Sequence, residues 1–275
     1  MQYPLVTVTI PSYNHSRYIL SALNSVLQED YPNKEIVIID DGSTDNSAAI
    51  IQQWVDEHKD RIPVTYISRA NKGLAFTINE LIDLANGECI AWLASDDMFC
   101  DNGISKRMAV MQQTKKKLIV GDCKVINEEG VVTHMSWMKD VMKRDVSLYK
   151  TDEGIMEQVL VNPSFAGSVL LLKKDVYDNI GKYPQNFFAE EWFFYQRCAA
   201  FRYTAYLDDV VSLYRRHDTN TSGKADLAGK KHLVRSIVKS YRMSWWLFPG
   251  FRMKYIALKE WIKWNYVYLR TYILK

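Results

Sequence analysis

Two apolar runs that end in paired acids constrain this chain more than any other feature. A run rich in isoleucine and valine ends in Asp40-Asp41, and a second apolar run stops just before Asp96-Asp97. Unpaired carboxylates at the end of a strand destabilise a fold, because a charge is costly wherever water is excluded. The arrangement becomes favourable when a divalent cation carrying a diphosphate binds there, since hard oxygen ligands suit Mg²⁺ or Mn²⁺. The pattern therefore indicates a nucleotide-diphosphate site.

The first part of the chain alternates between patterns typical of strands and of helices. Strands are predicted at Val6–Ile10, Glu35–Asp40, Val64–Ser68 and Glu88–Leu93, with helical segments between them. Repeated βα units predict an α/β fold, with a Rossmann-like, mostly parallel central sheet flanked by helices. Ligands of such sheets bind beyond the carboxyl ends of the strands. Both acidic pairs lie at such ends.

The second half of the chain is less regular. The pattern predicts a hairpin over 118–135, an apolar strand over 166–173 and a helix with an acidic first turn over 190–201. It also predicts two late strands, over 203–207 and 210–214, and a mobile loop over 217–230. Pro249-Gly250 is expected to separate two C-terminal helices. The predicted organisation is a catalytic domain over 1–228, with a nucleotide-binding half (1–100) and an acceptor-binding half (101–228), followed by basic aromatic helices over 229–275.

The net charge of +3 hides an uneven distribution. Residues 241–275 contain seven lysines and arginines and one acid, Glu260, so the rest of the chain is slightly acidic. This distribution argues against a main body that binds nucleic acid.

The cysteines and the N-terminus indicate the cellular compartment that we expect for this protein. The four cysteines form no Cys-x-x-Cys pair, which favours reduced thiols in the cytoplasm over zinc ligation or a disulfide framework. The start of the chain lacks the charged and apolar regions of a signal peptide. No stretch reaches the roughly 20 apolar residues that span a bilayer.

Five motifs together carry a resemblance to a known family. They occur in order between about residues 5 and 220: Ile10-Pro11-Ser12-Tyr13-Asn14, Ile39-Asp40-Asp41-Gly42-Ser43-Thr44-Asp45, Ser95-Asp96-Asp97, Glu190-Glu191-Trp192 and Tyr214-Arg215-Arg216-His217. With these motifs the chain resembles the family 2 glycosyltransferases of the GT-A fold. The resemblance implies an inverting, metal-dependent transfer of a sugar from a nucleotide-diphosphate donor, with a UDP-sugar the expected class.

The resemblance assigns a nucleotide site to the strand-end loops. It implies contacts to the base from the loop Pro11-Ser12-Tyr13-Asn14 and from Asp41, which would accept the uracil N–H. Lys72 would reach a phosphate, and Asp96 would contact the ribose. Simpler interpretations stay open: Asn14 or Ser16 caps a helix, and Asp41-Gly42 forms a turn.

The resemblance also assigns a metal site. Asp97 and His217 would hold the Mn²⁺ or Mg²⁺ ion that bridges the two phosphates, and Arg215 with Arg216 would hold the diphosphate. Many relatives carry a further acid where this chain has Ala94, which removes one candidate ligand. The alternatives are helix-capping acids in a solvated loop and a solvated histidine.

Glu190-Glu191-Trp192 resembles the acidic pair of the family, whose second member acts as the general base. A sugar hydroxyl is too weak an acid to attack unaided, so a positioned carboxylate must take its proton. Glu191 holds that place, and Glu190 is the alternative base or an acceptor contact. The pair would otherwise be an acidic helix start, and Trp192 is either a sugar platform or a packed core residue.

The C-terminal segment is predicted to be amphipathic. At helical spacing Lys259, Lys263 and Arg270 fall on one side, whereas the other side is aromatic and apolar, with Leu258, Trp261, Trp264, Tyr268 and Tyr272. This pattern is typical of an interfacial helix on anionic lipid. The alternatives are a helix packed on the catalytic domain and a dimer contact.

These observations predict an inverting glycosyltransferase that forms a β-linkage on a glycan or lipid-linked acceptor. The expected context is surface polysaccharide, capsule or O-antigen assembly at the inner face of the cytoplasmic membrane. A sugar-nucleotide pyrophosphorylase is one alternative, but it needs a glycine-rich basic loop after the first strand, where this chain has Pro11–Asn14. A catalytically silent glycan-binding protein is the other.

Overall fold

The computed structural model describes residues 3–185, 190–218, 220 and 227–272. Strands β1 to β9 of this part of the chain are Val6–Ser12, Lys34–Asp40, Val64–Ser68, Cys89–Trp92, Met98–Phe99, Leu118–Ile126, Val132–His134, Leu170–Lys173 and Thr204–Arg215. Helices α1 to α9 are Ile19–Gln28, Ser47–His58, Leu74–Leu84, Gly103–Thr114, Asp152–Val161, Val176–Ile180, Glu190–Ala200, Leu227–Ser244 and Gly250–Tyr272. Short 3₁₀ or π turns connect some of them.

The strands form one mixed sheet in the order β3-β2-β1-β4-β8-β6-β9-β5, with β7 beside β6. Strands β3, β2, β1 and β4 run parallel, as the repeated βα units predict. Strand β8 is antiparallel to both β4 and β6, while β9 runs parallel to β6. The predicted α/β sheet flanked by helices is therefore confirmed, with antiparallel strands added in the second half.

Strands β1, β2 and β4 are buried on both faces of the sheet. Ile36 and Ile38 of β2 pack in one core cluster with residues of α1 and α2. Val37 and Ile39, which point the other way, pack with Leu81 of α3. A parallel strand covered on both sides reads as a continuous apolar run, which explains why the strands were visible in the sequence.

The C-terminal helices share a core with the body of the protein. Ile237 and Tyr241 of α8 and Met253 and Ala257 of α9 belong to the same buried cluster as α5 and α7. The Tyr241 hydroxyl also donates a hydrogen bond to the Leu160 carbonyl oxygen. These helices therefore complete the fold, and the division at residue 228 stays a prediction.

Some elements differ from the sequence predictions. The two late strands are one strand, β9, whose register against β6 shifts near Asp122. Helix α1 begins at Ile19, and the backbone N–H of Ser16 donates to Asp45 instead of Ser16 capping the helix. The predicted loop 217–230 lies largely outside the described residues. Within those that are described, no helix has the length and apolar character needed to cross a bilayer.

Candidate active site

Three strand ends meet at one edge of the sheet. Ser12 at the end of β1 is in register with Asp40 at the end of β2, and the Asp41 N–H donates to the Ser12 carbonyl oxygen at 2.8 Å. Strand β4 is on the other side of β1, and the Leu93 N–H donates to Thr9 at 3.1 Å. The loops after β1, β2 and β4 therefore converge, as the parallel topology requires.

The loop after β1 is fixed against the loop after β2. Asn14 has a left-handed φ of +54°, and its Oδ1 accepts from the Thr44 N–H at 2.8 Å, while its own N–H donates to Ser43 Oγ at 2.8 Å. These bonds leave the Tyr13 ring 48% exposed, whereas Ser12 is buried. Of the four residues predicted to bind the base, Tyr13 therefore presents a free aromatic face.

Asp41 lies in a ring of hydrogen-bond donors. Its carboxylate pairs with the Arg69 guanidinium and accepts from the N–H groups of Lys72 and Gly73, each at 2.9 Å. Gly42 permits this packing, because its φ is +78° and a Cβ there would lie 2.7 Å from the Asn71 nitrogen. Asp41 is thus oriented by donors from Arg69, Lys72 and Gly73, which is more than a turn residue requires.

The backbone and the side chain of Lys72 contact different residues. The N–H bonds to Asp41, whereas Nζ lies 4.6 Å from the centre of the Phe76 ring. The side chain is exposed. Its predicted phosphate contact stays a prediction.

Arg69 is a site residue that the sequence analysis missed. Its guanidinium joins Asp41 to Glu80 and to Thr77 of α3, with Nε–Oε2 and Nη2–Oγ1 distances of 2.9 Å. It follows β3 directly, so its position at the carboxyl end of a parallel strand was a usable signal.

Asp96 lies between two imidazoles. His217 Nε2 is 2.9 Å from Asp96 Oδ2, and His15 Nε2 is 3.9 Å from the same oxygen. The other ring nitrogen of His15 is 2.7 Å from Ser95 Oγ, and Asn220 Nδ2 donates to Asp96 at 3.3 Å. Among the described residues, His15, Asp96 and His217 offer ligand atoms that all lie within 4.8 Å of one another.

The electrostatics of this cluster suit a cation. Burial lowers the pKa of His15 below 6.5, although the Asp96 charge opposes the shift, so this imidazole is neutral at neutral pH. Burial disfavours ionisation of Asp96, but its hydrogen bond with His217 outweighs burial and lowers the pKa. One carboxylate and two imidazoles form a donor set that fits a divalent transition metal such as Mn²⁺.

Asp97 has a different environment from Asp96. It is only 2% exposed, and its carboxylate accepts from Ser168 Oγ and from the Arg215 N–H, the latter at 2.9 Å. Burial and the neighbouring Asp96 charge raise the pKa of Asp97 well above its ordinary value. Asp97 is not in the cluster with the histidines, so its predicted role as a metal ligand stays a prediction that this geometry does not favour.

Arg215 connects the strand β9 to the acidic loop. Its Nε donates to the Asp96 carbonyl oxygen at 2.9 Å, and its Nη1 donates to the carbonyl oxygens of Asn127 and Glu128. The side chain is 4% exposed and also lies over the Tyr18 ring. The guanidinium therefore supports protein backbone, which leaves the exposed Arg216 as the neighbour available to a diphosphate.

The acidic pair begins helix α7. Glu191 is exposed, and its charge adds to burial in raising the pKa of Tyr195. The side chain of Glu190 lies outside the described part of the chain. Trp192 packs edge-on against Tyr241 and Trp264 of the C-terminal helices, which supports the packed alternative over a sugar platform.

A cleft opens beside the cluster of His15, Asp96 and His217. Its walls come from the start of α1, from the loop after β2 and from the two acids Glu128 and Asp218. Asp45 is the wall residue that links the first two elements, because it accepts from Ser47 Oγ and from the N–H groups of Ser47 and Ser16. The cleft is the space next to His15 in which a donor or acceptor can lie.

Comparisons with known proteins agree with this site. A family profile described as Glycosyl transferase family 2 matches residues 7–181. An uncharacterized glycosyltransferase of Rickettsia typhi is 27% identical over 231 residues, covering 81% of this chain and 67% of the relative. The putative teichuronic acid biosynthesis glycosyltransferase TuaG of Bacillus subtilis is 37% identical over 110 residues. That match covers 40% of this chain and 43% of TuaG, so this chain spans less than half of that relative.

Solved structures share the fold. S. aureus TarS 1–349 in complex with UDP-GlcNAc superimposes with a TM-score of 0.69 at 19% identity, covering 98% of this chain and 76% of TarS. The mannosyltransferase PcManGT from Pyrobaculum calidifontis, in complex with GDP-Man and Mn²⁺, gives a TM-score of 0.68 at 16% identity. Coverage is 100% of this chain and 77% of that protein. The architecture is that of the GT-A fold.

Proposed function

The chain belongs to glycosyl transferase family 2, and on that premise we propose that it transfers a sugar from a nucleotide-diphosphate donor to a hydroxyl group. The observation that carries the proposal is the meeting of His15, Asp96 and His217 at the carboxyl edge of a parallel sheet. The ring of donors around Asp41 supplies a separate nucleotide-binding position at the same edge. Loops from both halves of the sheet meet there.

We propose that Asp96, His217 and His15 hold the cation, with Mn²⁺ preferred to Mg²⁺. The donor set fits, because Mg²⁺ favours oxygen ligands whereas imidazole suits softer divalent metals. When bound, the ion would stabilise the charge that develops on the leaving diphosphate. Asp96 thereby takes the role that the sequence assigned to Asp97, and two imidazoles compensate for the acid missing at Ala94.

The nucleotide is expected to bind along the loops after β1 and β2. The exposed Tyr13 ring offers a face for the base, and we propose that the Asp41 carboxylate accepts a base N–H. Uracil presents such an N–H, and the donor class we propose is a UDP-sugar. The UDP-GlcNAc complex of TarS shows that the same fold can hold such a donor.

Glu191 is proposed as the general base. Its exposure at the start of α7 allows the carboxylate to reach an acceptor hydroxyl and take its proton as the hydroxyl oxygen attacks. The bond from the anomeric carbon to the diphosphate oxygen breaks in the same displacement, so an α-linked donor gives a β-linked product. Glu190 is the alternative base.

The acceptor is proposed to be a glycan or a lipid-linked saccharide of a surface polysaccharide. The name of TuaG, which places that relative in teichuronic acid biosynthesis, supports this class. Work on a lipid-linked acceptor would place the enzyme at the inner face of the cytoplasmic membrane. Capsule and O-antigen assembly belong to the same proposal.

A donor screen tests the proposal. The full chain is incubated with Mn²⁺ and each of the common UDP- and dTDP-sugars, and the released nucleotide is measured by chromatography. We expect slow release of UDP from one UDP-sugar, and release that needs the metal. A chain that binds UDP with Mn²⁺ but frees no nucleotide from any donor, with or without glycan acceptors, would be a silent binding protein.

A further inference from the structure

Helix α9 carries a continuous apolar stripe on its solvent side. Six large side chains recur along it every three or four residues, and together we call them the outer stripe: Phe251, Tyr255, Leu258, Ile262, Tyr266 and Leu269. Each is between 45% and 85% exposed. At 3.6 residues per turn this spacing places all six on one face. The stripe differs from the predicted aromatic face, because Trp261 and Trp264 turn inward.

The opposite face of α9 is anchored. Met253 and Ala257 are buried in the main core, and Trp261 and Trp264 pack against it. Outside the core, Arg252 Nη2 lies 2.6 Å from Glu157 Oε2 of α5. Because the inner face is fixed by these contacts, the helix cannot rotate to cover the outer stripe. The stripe is therefore a rigid apolar surface.

Basic side chains flank the outer stripe. Arg252, Lys259, Lys263 and Arg270 are exposed and lie roughly a quarter turn around the helix from Phe251 and Leu269. We call these four the basic ridge; within it Arg252 pairs with Glu157 and Lys263 pairs with Glu260. Helix α8 adds a second exposed series, made up of Lys230, Lys231, Arg235, Lys239 and Arg242. Across both helices, the described exposed surface thus combines apolar groups with a dense positive charge.

We propose that the outer stripe docks on an anionic lipid membrane. Its side chains would enter the boundary between headgroups and acyl chains, while the basic ridge contacts lipid phosphates. A second copy of the chain fits less well, because an antiparallel two-fold contact through the stripe would bring two basic ridges together. Only a partner with negative charge beside an apolar layer complements both features, and an anionic bilayer provides both.

The lipid contact itself is independent of the proposed sugar transfer. Only its use, to keep the enzyme near a lipid-linked acceptor, rests on that proposed function. Vesicle binding and nucleotide release are separate measurements, so a failure of one is distinguishable from a failure of the other.

The test is sedimentation of the full chain with vesicles. One vesicle preparation is phosphatidylcholine alone, and the other is equimolar phosphatidylcholine and phosphatidylglycerol. We expect the chain to pellet with the anionic vesicles and to stay in solution with the neutral ones. The double variant Leu258→Ser, Ile262→Ser should bind at least about tenfold more weakly, because it removes two aliphatic side chains that the membrane contact would bury. Lys259→Glu with Arg270→Glu should also bind at least about tenfold more weakly, since it replaces attraction by repulsion.

Matched variants control for exposure and charge. Leu20→Ser changes a leucine of α1 that is 48% exposed, close to the 45% of Leu258. Lys59→Glu with Arg61→Glu changes an exposed lysine and arginine at the end of α2. Both controls should pellet like the unchanged chain. Circular dichroism melting checks that each variant folds.

Three results would overturn the proposal. The first is absence of pelleting with anionic vesicles, and the second is equal pelleting of the unchanged chain and the stripe variant. The third is a dimer, seen by light scattering, that the stripe variant converts to a monomer, since the stripe would then belong to a second copy.

Discussion

His217 Nε2 lies 2.9 Å from Asp96 Oδ2, although 121 positions separate the two residues in the chain. The His217 side chain is only 1% exposed, and its ring stacks at an angle on Tyr18, with centroids 4.7 Å apart. The segment after β9 therefore closes over the loop after β4. The proposed cation site therefore forms only when both halves of the sheet are assembled.

The first prediction separates the two neighbouring acids. Asp96→Asn should weaken Mn²⁺-dependent UDP binding at least about tenfold, because it removes the charged ligand. Asp97→Asn should keep that binding but lower the free energy of unfolding by about 1–3 kcal/mol, because an amide nitrogen would replace one of the two buried oxygens that accept from Ser168 and Arg215. Calorimetry with Mn²⁺ and UDP measures the first effect, and urea unfolding measures the second. The reverse pattern would return the ligand role to Asp97.

The second prediction concerns the base. Glu191→Gln should bind the donor normally and lose roughly a hundredfold to ten-thousandfold in transfer rate, because the amide cannot accept the hydroxyl proton. Single-turnover transfer and donor affinity are measured on the same preparation. Glu190→Gln is the matched control, with a rate close to that of the unchanged chain. If Glu190→Gln carried the larger loss, the base would be Glu190.

The third prediction concerns the pair Arg69 and Asp41. Arg69→Met should destabilise the protein by about 3–5 kcal/mol, because it leaves Asp41 buried without its charged partner. The affinity for UDP should also fall, since the Arg69 guanidinium would no longer orient the Asp41 carboxylate. Arg61→Met, at an exposed arginine, is the control and should change unfolding by less than about 0.5 kcal/mol. Equal stability of the two variants would mean that Arg69 does not organise the Asp41 loop.

The fourth prediction concerns Asp45 and pH. Burial opposes ionisation of Asp45, but hydrogen bonds from Ser47 and Ser16 outweigh it and lower the pKa from 3.8 to about 2. A lowered folded-state pKa adds stability that is complete above the unfolded value of 3.8 and is lost as the pH falls toward about 2. Asp45→Ala should thus be less stable at neutral pH, by about 1 kcal/mol or less because the side chain is exposed to solvent.

The difference between Asp45→Ala and the unchanged chain should shrink as the pH falls below 3.8. Urea midpoints across the acid range measure it. Asp60→Ala, at another exposed acid, is the matched control. A difference that grew on acidification would contradict the assigned hydrogen bonds.

The sequence predicted the parallel half of the sheet well, because buried parallel strands are continuous apolar runs. Val64–Ser68 has the observed bounds of β3. Helices α4 and α5 were not predicted, and two late strands proved to be one, because β9 pairs with distant β6 and its pattern is not local.

The site was partly predictable for the same reason. Strand ends located Asp41 and Asp96, but His15 was missed because its partners lie 80 residues or more away along the chain. Arg215 was predicted to hold a diphosphate, yet its guanidinium bonds to backbone carbonyls that only the tertiary fold brings near it. The side on which α9 packs likewise depends on its neighbours and not on its own periodicity.

The burial of Met253 and Ala257 in the main core has a practical consequence. A protease that cut at the exposed Gly250 would not release an intact enzyme from an anchor, because the departing helix would uncover apolar side chains of α5 and α7. An anchor bound to α9 would therefore hold the whole protein. A chain truncated near Pro249 is expected to aggregate.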